Sequence, residues 1–386
     1  MKNYISFALI SLWILTSCEQ KHSLEADIEG LGNDSLRVMY SSTTDPFNFL
    51  TDTVYSRNDK FHLDNFTDES KFYYIFPNKT MIKKMNGRPY KPFSKAIIVQ
   101  LNPGDKIKIS GNLNDSFIDY QSNGSEFNKQ YSLVRRKNIQ LLSEIVLIDL
   151  KIDSLKFRGG EEELIKKLII EKNEINKNIW ETQFDYIKNN WDKDLSVFYL
   201  LQNPVDTIGK YYKHLESKSK NGIYKFMIEQ SMNSFEKVRK SRENDSTIKV
   251  GKIAPDFILE TLDGTDFKLS SLNQTYIVID FWGSWCNPCI KGFPRMKEYY
   301  KKYKNQVKFI SIACNDTKEK WKNSVKENKL EWLQLINNSD LDKNISVKYS
   351  VKGYPTKIII NKNRKIVGIF QGETNDFYKK LDELLY

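Results

Sequence analysis

The sequence predicts three parts in series: a small all-β sandwich, an α-helical segment, and a C-terminal α/β domain whose mixed central sheet is flanked by helices. Three changes of pattern carry this expectation. Apolar residues alternate in short runs over 24–124, recur at helical spacing over 125–245, and from 246 to 386 gather into strand-like runs separated by helical stretches. A length of 386 residues exceeds the usual single-domain size, so more than one core is expected.

The chain opens with an address. Lys2 precedes an apolar stretch from Tyr4 to Leu15, too short for a mature membrane span and correctly placed for a secretory signal over residues 1–17. The run ends in Leu15-Thr16-Ser17-Cys18, which resembles the lipobox of bacterial lipoproteins. The resemblance implies that Cys18 is acylated, that residues 18–23 form a lipid-anchored tether, and that the protein faces the periplasm from the cell envelope. Several acyl chains on one cysteine give durable anchoring where a single chain gives marginal binding.

Over 24–124 the alternation in Ile97-Ile98-Val99-Gln100-Leu101 and Lys106-Ile107-Lys108-Ile109 predicts antiparallel strands. Asn102-Pro103-Gly104-Asp105 between them suits a type II turn, with proline presetting φ and glycine accepting the positive φ that follows. Asn58-Asp59 is placed similarly between Asp52–Arg57 and Lys60–Leu63. The period then changes. Phe127, Tyr131, Val134, Leu141, Ile145, Ile148, Ile152 and Leu155 share one face of a helix expected to end near Gly159-Gly160. A second helix starts in the acidic run Glu161–Glu163 and continues through Leu164, Leu168, Ile175 and Ile179. Shorter helices are predicted around Leu195–Gln202, Thr207–Ser217 and Gly222–Arg242, and Asn244-Asp245-Ser246-Thr247 reads as a linker. These apolar stripes read as core and helix seam, and no cofactor is expected.

From Gly251 onward the strand signals are Tyr276–Phe281, Lys308–Ala313, Lys357–Ile360 and Ile366–Phe370, with helices after Cys289 and over Lys318–Asn328. The continuous run Tyr276–Phe281 fits a strand covered on both faces.

Composition narrows the function. Hydrophobic residues make up 40% and aromatic residues 13%, enough to build cores despite a charged fraction of 28%. The net charge of +11 is spread along the chain without a compact basic run or a recognition motif, so nucleic acid is not an expected partner. His22, His62 and His214 are widely separated, with no acidic or cysteine residue placed at metal-ligand spacing, and no metal site is expected.

Of the four cysteines, Cys286 and Cys289 carry the chemistry. Three apart on the first turn of a helix, they lie on one side and can cycle between dithiol and disulfide. Cys286, at the helix start, faces unsatisfied N–H groups and the positive end of the dipole, which favour thiolate and mark it as nucleophile. Cys289, a turn further in, is expected to be less exposed and to act as resolving thiol. Pro288 is tolerated because its missing N–H has no intrahelical acceptor there. A lone pair of this spacing could also be half of a zinc site, which would need two more ligands where only Cys314 remains as a cysteine in the mature domain. Cys314 itself ends the Lys308–Ala313 strand and reads as a buried residue, with oxidation open to it if exposed.

The stretch Val278-Ile279-Asp280-Phe281-Trp282-Gly283-Ser284-Trp285-Cys286-Asn287-Pro288-Cys289 closely resembles the thioredoxin active site. Upstream, Gly251-Lys252-Ile253-Ala254-Pro255-Asp256-Phe257 and Leu262-Asp263-Gly264 look like the opening of the TlpA/ResA and AhpC/TSA-related branch. Downstream, Gly353-Tyr354-Pro355-Thr356 is similar to the family's cis-proline loop. The β-rich region resembles the uncharacterised domain often found ahead of such thioredoxins. The family implies a thioredoxin-like fold, a cis Tyr354–Pro355 bond beside the sulfurs, a substrate segment pairing with the Tyr354 backbone, and Trp282 and Trp285 framing the cysteines. Trp285, Asn287, Pro288 and Tyr354 are the substrate-binding candidates. Asp280, a carboxylate in an apolar strand, is expected to have a raised pKa and to relay a proton to or from Cys289.

Relatives of the TlpA/ResA type commonly have asparagine where this sequence has Asp280, and an acidic residue where it has Gly292. The expected relay therefore resembles that of thioredoxin itself, and a preference for apocytochrome substrates is not carried over. The leading expectation is thiol–disulfide exchange with extracytoplasmic cysteine-containing proteins, as reductase or isomerase, fed by a membrane redox donor. Two other readings stay open. One is a thiol peroxidase, although peroxidases of the AhpC/TSA type place threonine where Gly283 stands. The other is a non-enzymatic cell-envelope binding lipoprotein in which the β-domain engages the partner.

Overall fold

A computed structural model describes residues 23–64 and 68–385. The signal segment and Cys18 lie outside the described residues. Two compact units meet in sequence between Ser231 and Met232. Among the described residues no helix is long and apolar enough to cross a membrane.

The first unit begins with strands β1 (Leu24–Glu29), β2 (Ser35–Ser42), β3 (Leu50–Tyr55), β4 (Lys60–Leu63), β5 (Lys71–Pro77), β6 (Ile82–Lys83), β7 (Pro89–Tyr90), β8 (Ile97–Leu101), β9 (Ile107–Leu113) and β10 (Ile118–Asn123). They build two four-stranded sheets, ordered β10-β9-β1-β4 and β3-β2-β5-β8, with β6 and β7 paired apart. Alternate residues of β1 (Leu24, Ala26 and Ile28) are buried while their neighbours face solvent, the period-two signature of a half-covered strand. Tyr120 of β10 reaches the other sheet, its hydroxyl accepting from the Ile98 N–H and donating to the Ile98 carbonyl.

Both predicted turns form, but neither closes a hairpin. Asn58 and Asp59 take φ of +49° and +71°, and Gly104 takes +81°. Beyond one bridge between Arg57 and Lys60, the strands on either side of each turn belong to different sheets. The turns carry the chain around a corner instead. The expectation of antiparallel strands also needs correcting at one pair, since β1 and β9 run parallel.

Helices α1 (Glu126–Lys137), α2 (Ile139–Phe157), α3 (Glu162–Lys188), α4 (Asp194–Leu201), α5 (Val205–Tyr212), α6 (Ser217–Lys220) and α7 (Lys225–Asn244) follow. The sequence reads α1 and α2 as a single helix, but the chain breaks at Asn138, where ψ falls to 2°. The buried Arg135 accounts for the tight docking of α1: its guanidinium donates to the carbonyls of Ile118, Ser94 and Ala96 in the β-region. Helix α2 ends at Gly159, whose φ of +67° suits a glycine C-cap. The predicted seam then closes, with Ile148, Leu168 and Ile175 buried among Leu141, Ile145, Ile152, Leu155, Leu164 and Ile179.

The second unit adds β11 (Ile258–Thr261), β12 (Asp266–Lys268), β13 (Tyr276–Trp282), α8 (Asn287–Tyr303), β14 (Val307–Ala313), α9 (Lys318–Glu327), β15 (Leu333–Ile336), α10 (Ile345–Lys348), β16 (Thr356–Asn361), β17 (Ile366–Gln371) and α11 (Asn375–Leu385). One seven-stranded sheet runs in the order β12-β11-β15-β14-β13-β16-β17. Strands β13, β14 and β15 are parallel, while β16 and β17 are antiparallel to their neighbours. A core covers each face. Ile277, Ile279 and Phe281 of β13 enter one with Phe257 and Tyr349; Val278 and Trp282 enter the other with Phe293, Met296, Phe377 and Tyr378. This is the expected mixed sheet flanked by helices, in a thioredoxin-like arrangement.

Candidate functional site

Strand β13 and the start of α8 place the candidate reactive residues. Because side chains alternate across a strand, Asp280 shares a face with Val278 and Trp282, the face that α8 covers. After β13 the loop is fixed by Ser284, whose N–H and hydroxyl both donate to the Asp316 carboxylate at 2.7 Å. The chain then enters α8 with Cys286 as its N-cap.

Cys286 and Cys289 are joined in a disulfide, with Cα atoms 5.3 Å apart. The Cys286 sulfur also accepts the Cys289 backbone N–H at 3.3 Å. A sulfur in the N-cap position meets the free N–H groups and positive dipole end of a 17-residue helix, the setting that favours thiolate once the disulfide opens. One expectation is corrected. Cys289 is not distinctly less exposed than Cys286: the two are 3% and 4% exposed, because both sulfurs are tied together within the core cluster of Trp282 and Phe293.

The other candidates surround this pair. The Tyr354–Pro355 bond is cis. Its loop is braced by the Thr356 hydroxyl donating to the Gly353 carbonyl and by the Gly372 N–H donating to the Pro355 carbonyl, both at 2.7 Å. Trp285 is 53% exposed, lies edge-on to the Tyr354 ring at 5.4 Å, and donates its indole N–H to the Cys314 carbonyl at 3.1 Å. Trp282 by contrast is fully buried, with its ring edge-on to Phe293. Asn287 and Pro288 occupy the first turn of α8. Gly283 has no room for a side chain while Trp285 keeps this position: a Cβ there would lie 2.5 Å from the Trp285 indole nitrogen. The threonine of an AhpC/TSA-type peroxidase would therefore collide with this tryptophan.

Asp280 is 2% exposed and flanked across the sheet by Ser311 of β14 and Lys357 of β16. Its Oδ2 accepts the Ser311 hydroxyl at 3.0 Å, and Ser311 in turn accepts the Trp332 indole N–H at 2.8 Å. Its Oδ1 has no hydrogen-bond partner, and the Lys357 ammonium stands off at 3.7 Å. Burial pushes the Asp280 carboxyl above its ordinary range, against the opposing pull of Lys357 and the Ser311 bond.

Lys357 and Glu373 are residues to which sequence reasoning gave no role. Asp280, Cys289, Pro355, Lys357 and Glu373 line one recess beside Gly292. A lysine directly before the apolar run Ile358–Ile360 of β16 was a readable signal, since buried lysines are rare without a partner. Glu373, between β17 and α11, had none. Cys314 is fully buried in the opposite core, and burial pushes its thiol up to about 12, so it stays protonated and unreactive. A separate surface groove lies along the charged outer face of the N-terminal sheet beside Glu25, Lys60 and Lys108.

A mixed sheet of this order, with a cysteine pair at the head of the helix after its central strand and a cis proline facing it, defines a thioredoxin-like redox domain. The AhpC/TSA family pattern matches residues 250–369. The thiol-disulfide oxidoreductase ResA of a Bacillus cereus strain is 36% identical over 127 residues, covering 33% of this chain and 72% of that protein. ResA of Bacillus subtilis (strain 168) is 32% identical over 127 residues, covering 33% and 69%. A solved thiol-disulfide oxidoreductase from Bacteroides fragilis NCTC 9343 shares 28% identity over 35% of this chain and all of that one, with a TM-score of 0.32. The chain belongs to the thiol-disulfide oxidoreductases of the ResA type, and it is a thioredoxin-like enzyme of that class.

Proposed function

We propose that the protein exchanges disulfides with cysteine-containing proteins outside the cytoplasm, as a reductase or isomerase, through Cys286 and Cys289. The observation that carries this reading is the disulfide at the N-terminus of α8, with Cys286 as the N-cap and the recess of Asp280 and Pro355 beside Cys289. In the reduced protein the Cys286 thiolate attacks a substrate disulfide, forming a mixed disulfide and releasing one substrate thiolate. Cys289 passes its proton to Asp280 and attacks the Cys286 sulfur, which closes the protein disulfide and releases the second substrate thiolate. Two electrons pass to the substrate; Asp280 hands the Cys289 proton on to one departing substrate thiolate, and the other thiolate takes its proton from solvent, where the Cys286 proton was released when its thiolate formed. Another dithiol must then return two electrons, a part suited to a membrane redox donor near a lipid anchor at Cys18. Trp285, Asn287, Pro288 and the backbone of Tyr354 form the surface against which an extended substrate segment lies, pairing as an added strand does.

The test is a Cys289→Ser variant of the full chain, expressed with its signal. It is expected to accumulate mixed disulfides that run through Cys286 and dissolve on reduction. A folded variant that traps no partner from a cell-envelope extract, and reacts no faster than free cysteine with a model protein disulfide, would sink the proposal.

A further inference from the structure

Beside Cys289, the place of an acidic side chain is taken by one from another part of the chain. A Cβ built on Gly292 would lie 2.5 Å from the Glu373 carboxyl carbon and 3.1 Å from its Cγ. That carboxylate is bonded on both sides: one oxygen accepts from the Lys357 ammonium at 2.6 Å, the other from the Tyr378 hydroxyl. The Lys357 side chain is 4% exposed, as deeply buried as Asp280, while that of Glu373 is 25% exposed and opens the row toward solvent. The buried ammonium thus has two carboxylates within reach. It is committed to Glu373 and stands 3.7 Å from Asp280, whose Oδ1 is left without a hydrogen bond.

We infer that Glu373 is a positioning residue of the redox centre: by holding Lys357 back from Asp280, it keeps Asp280 Oδ1 free to take the Cys289 proton. The inference rests on the exchange reading above and deepens it. An unbonded buried carboxylate oxygen costs free energy, and a 3.7 Å gap to an ammonium is one that a small rotation of Lys357 would close. Glu373 is what prevents it. With Glu373 in place, Asp280 remains a proton acceptor poised beside the resolving thiol; with Lys357 released onto it, Asp280 becomes a settled carboxylate. The position explains Gly292 as well, since any larger residue there would expel the Glu373 carboxylate. The groups facing this row are Cys289 and Arg295 from α8, Ser311 from β14, Lys357 from β16 and Tyr378 from α11, with Arg295 stacked 4.0 Å over the Tyr378 ring.

The experiment follows the Asp280 carboxyl by carbon-13 NMR across pH in the oxidised full-length protein, where neither active-site cysteine titrates. Glu373→Gln keeps the shape and a hydrogen bond to Tyr378 but loosens Lys357. The Asp280 midpoint is expected to fall by about one pH unit, the usual effect of an opposite charge moving into contact. In a Lys357→Met background the midpoint is expected to rise, and adding Glu373→Gln there is expected to lower it by distinctly less than in the parent, only by the part owed to the Glu373 charge itself. Replacing the acid from the other element, as Glu373→Ala with Gly292→Glu, is expected to return the midpoint toward that of the parent protein. An unchanged midpoint in Glu373→Gln, or an equal shift with and without Lys357, overturns the inference. Because the oxidised protein is titrated, these results are independent of whether Cys289→Ser traps a partner, and the two readings fail separately.

Discussion

Gly283→Ala isolates what the loop before the cysteines contributes. Gly283 does not sit in the left-handed region, so alanine is allowed by its backbone and the obstacle is purely steric. The new Cβ would stand 2.5 Å from Trp285 Nε1, 2.7 Å from its Cε2 and 3.1 Å from the Cys314 carbonyl oxygen. Half-exposed, the indole can swing outward instead of straining the backbone, which bounds the loss by the contacts it gives up. These are the hydrogen bond to Cys314, about 1 kcal/mol, and the edge-on contact with Tyr354, about 1 kcal/mol. Stiffening of the unfolded chain by alanine returns roughly 0.5 kcal/mol. A net loss of about 1.5 kcal/mol lowers the midpoint of a unit this size by roughly 3–6 °C. Calorimetry of the oxidised protein measures the midpoint, and the indole N–H resonance of Trp285 reports its hydrogen bond. A variant with parental midpoint and parental indole resonance would refute the steric reasoning. The same substitution is expected to weaken substrate capture, since Trp285 forms part of the surface proposed for it.

Other outcomes follow from the same geometry. Asp280→Asn bears on stability as well as exchange: burial raises the Asp280 pKa, so the folded state holds that proton more tightly than the unfolded chain. Stability is therefore expected to decline as pH rises from the ordinary carboxyl value of about 3.9 through the raised one. Chemical denaturation across pH should show a flatter profile and a higher neutral stability for Asp280→Asn, with slower resolution of mixed disulfides; a profile parallel to the parent's would count against the raised pKa. Cys314, buried and held protonated, is expected to resist iodoacetamide in the folded, oxidised protein and to react at once in denaturant. Labelling of Cys314 in the folded state would contradict its placement.

The elements of the C-terminal unit were legible because each advertises itself over a few residues. The apolar run of β13, the turn of helix after Cys286 and the Gly353–Thr356 loop all appear as local patterns, and the structure sets the proposed Asp280, Cys289 and Pro355 around one recess. In the N-terminal unit the same local rules placed both turns, at Asn58-Asp59 and at Asn102–Asp105, but left the strand pairings open, and the antiparallel expectation failed at β1 and β9. A two-residue turn looks alike whether the chain doubles back in one sheet or rounds the corner to another. Which occurs depends on the distant strand that completes each sheet, as β9 does for β1.

What the sequence determined by itself is the position of the candidate cysteine pair, its helix and the class of fold, since spacing and periodicity express hydrogen bonding and burial within a short segment. Only the tertiary structure decided the surroundings of that pair. The equal burial of the two cysteines, the row from Ser311 through Asp280 to Lys357, and the Glu373 carboxylate in the space beside Gly292 all depend on strand register. Register joins residues far apart in the chain, and an acid far downstream of the cysteines leaves no trace in the pattern around them.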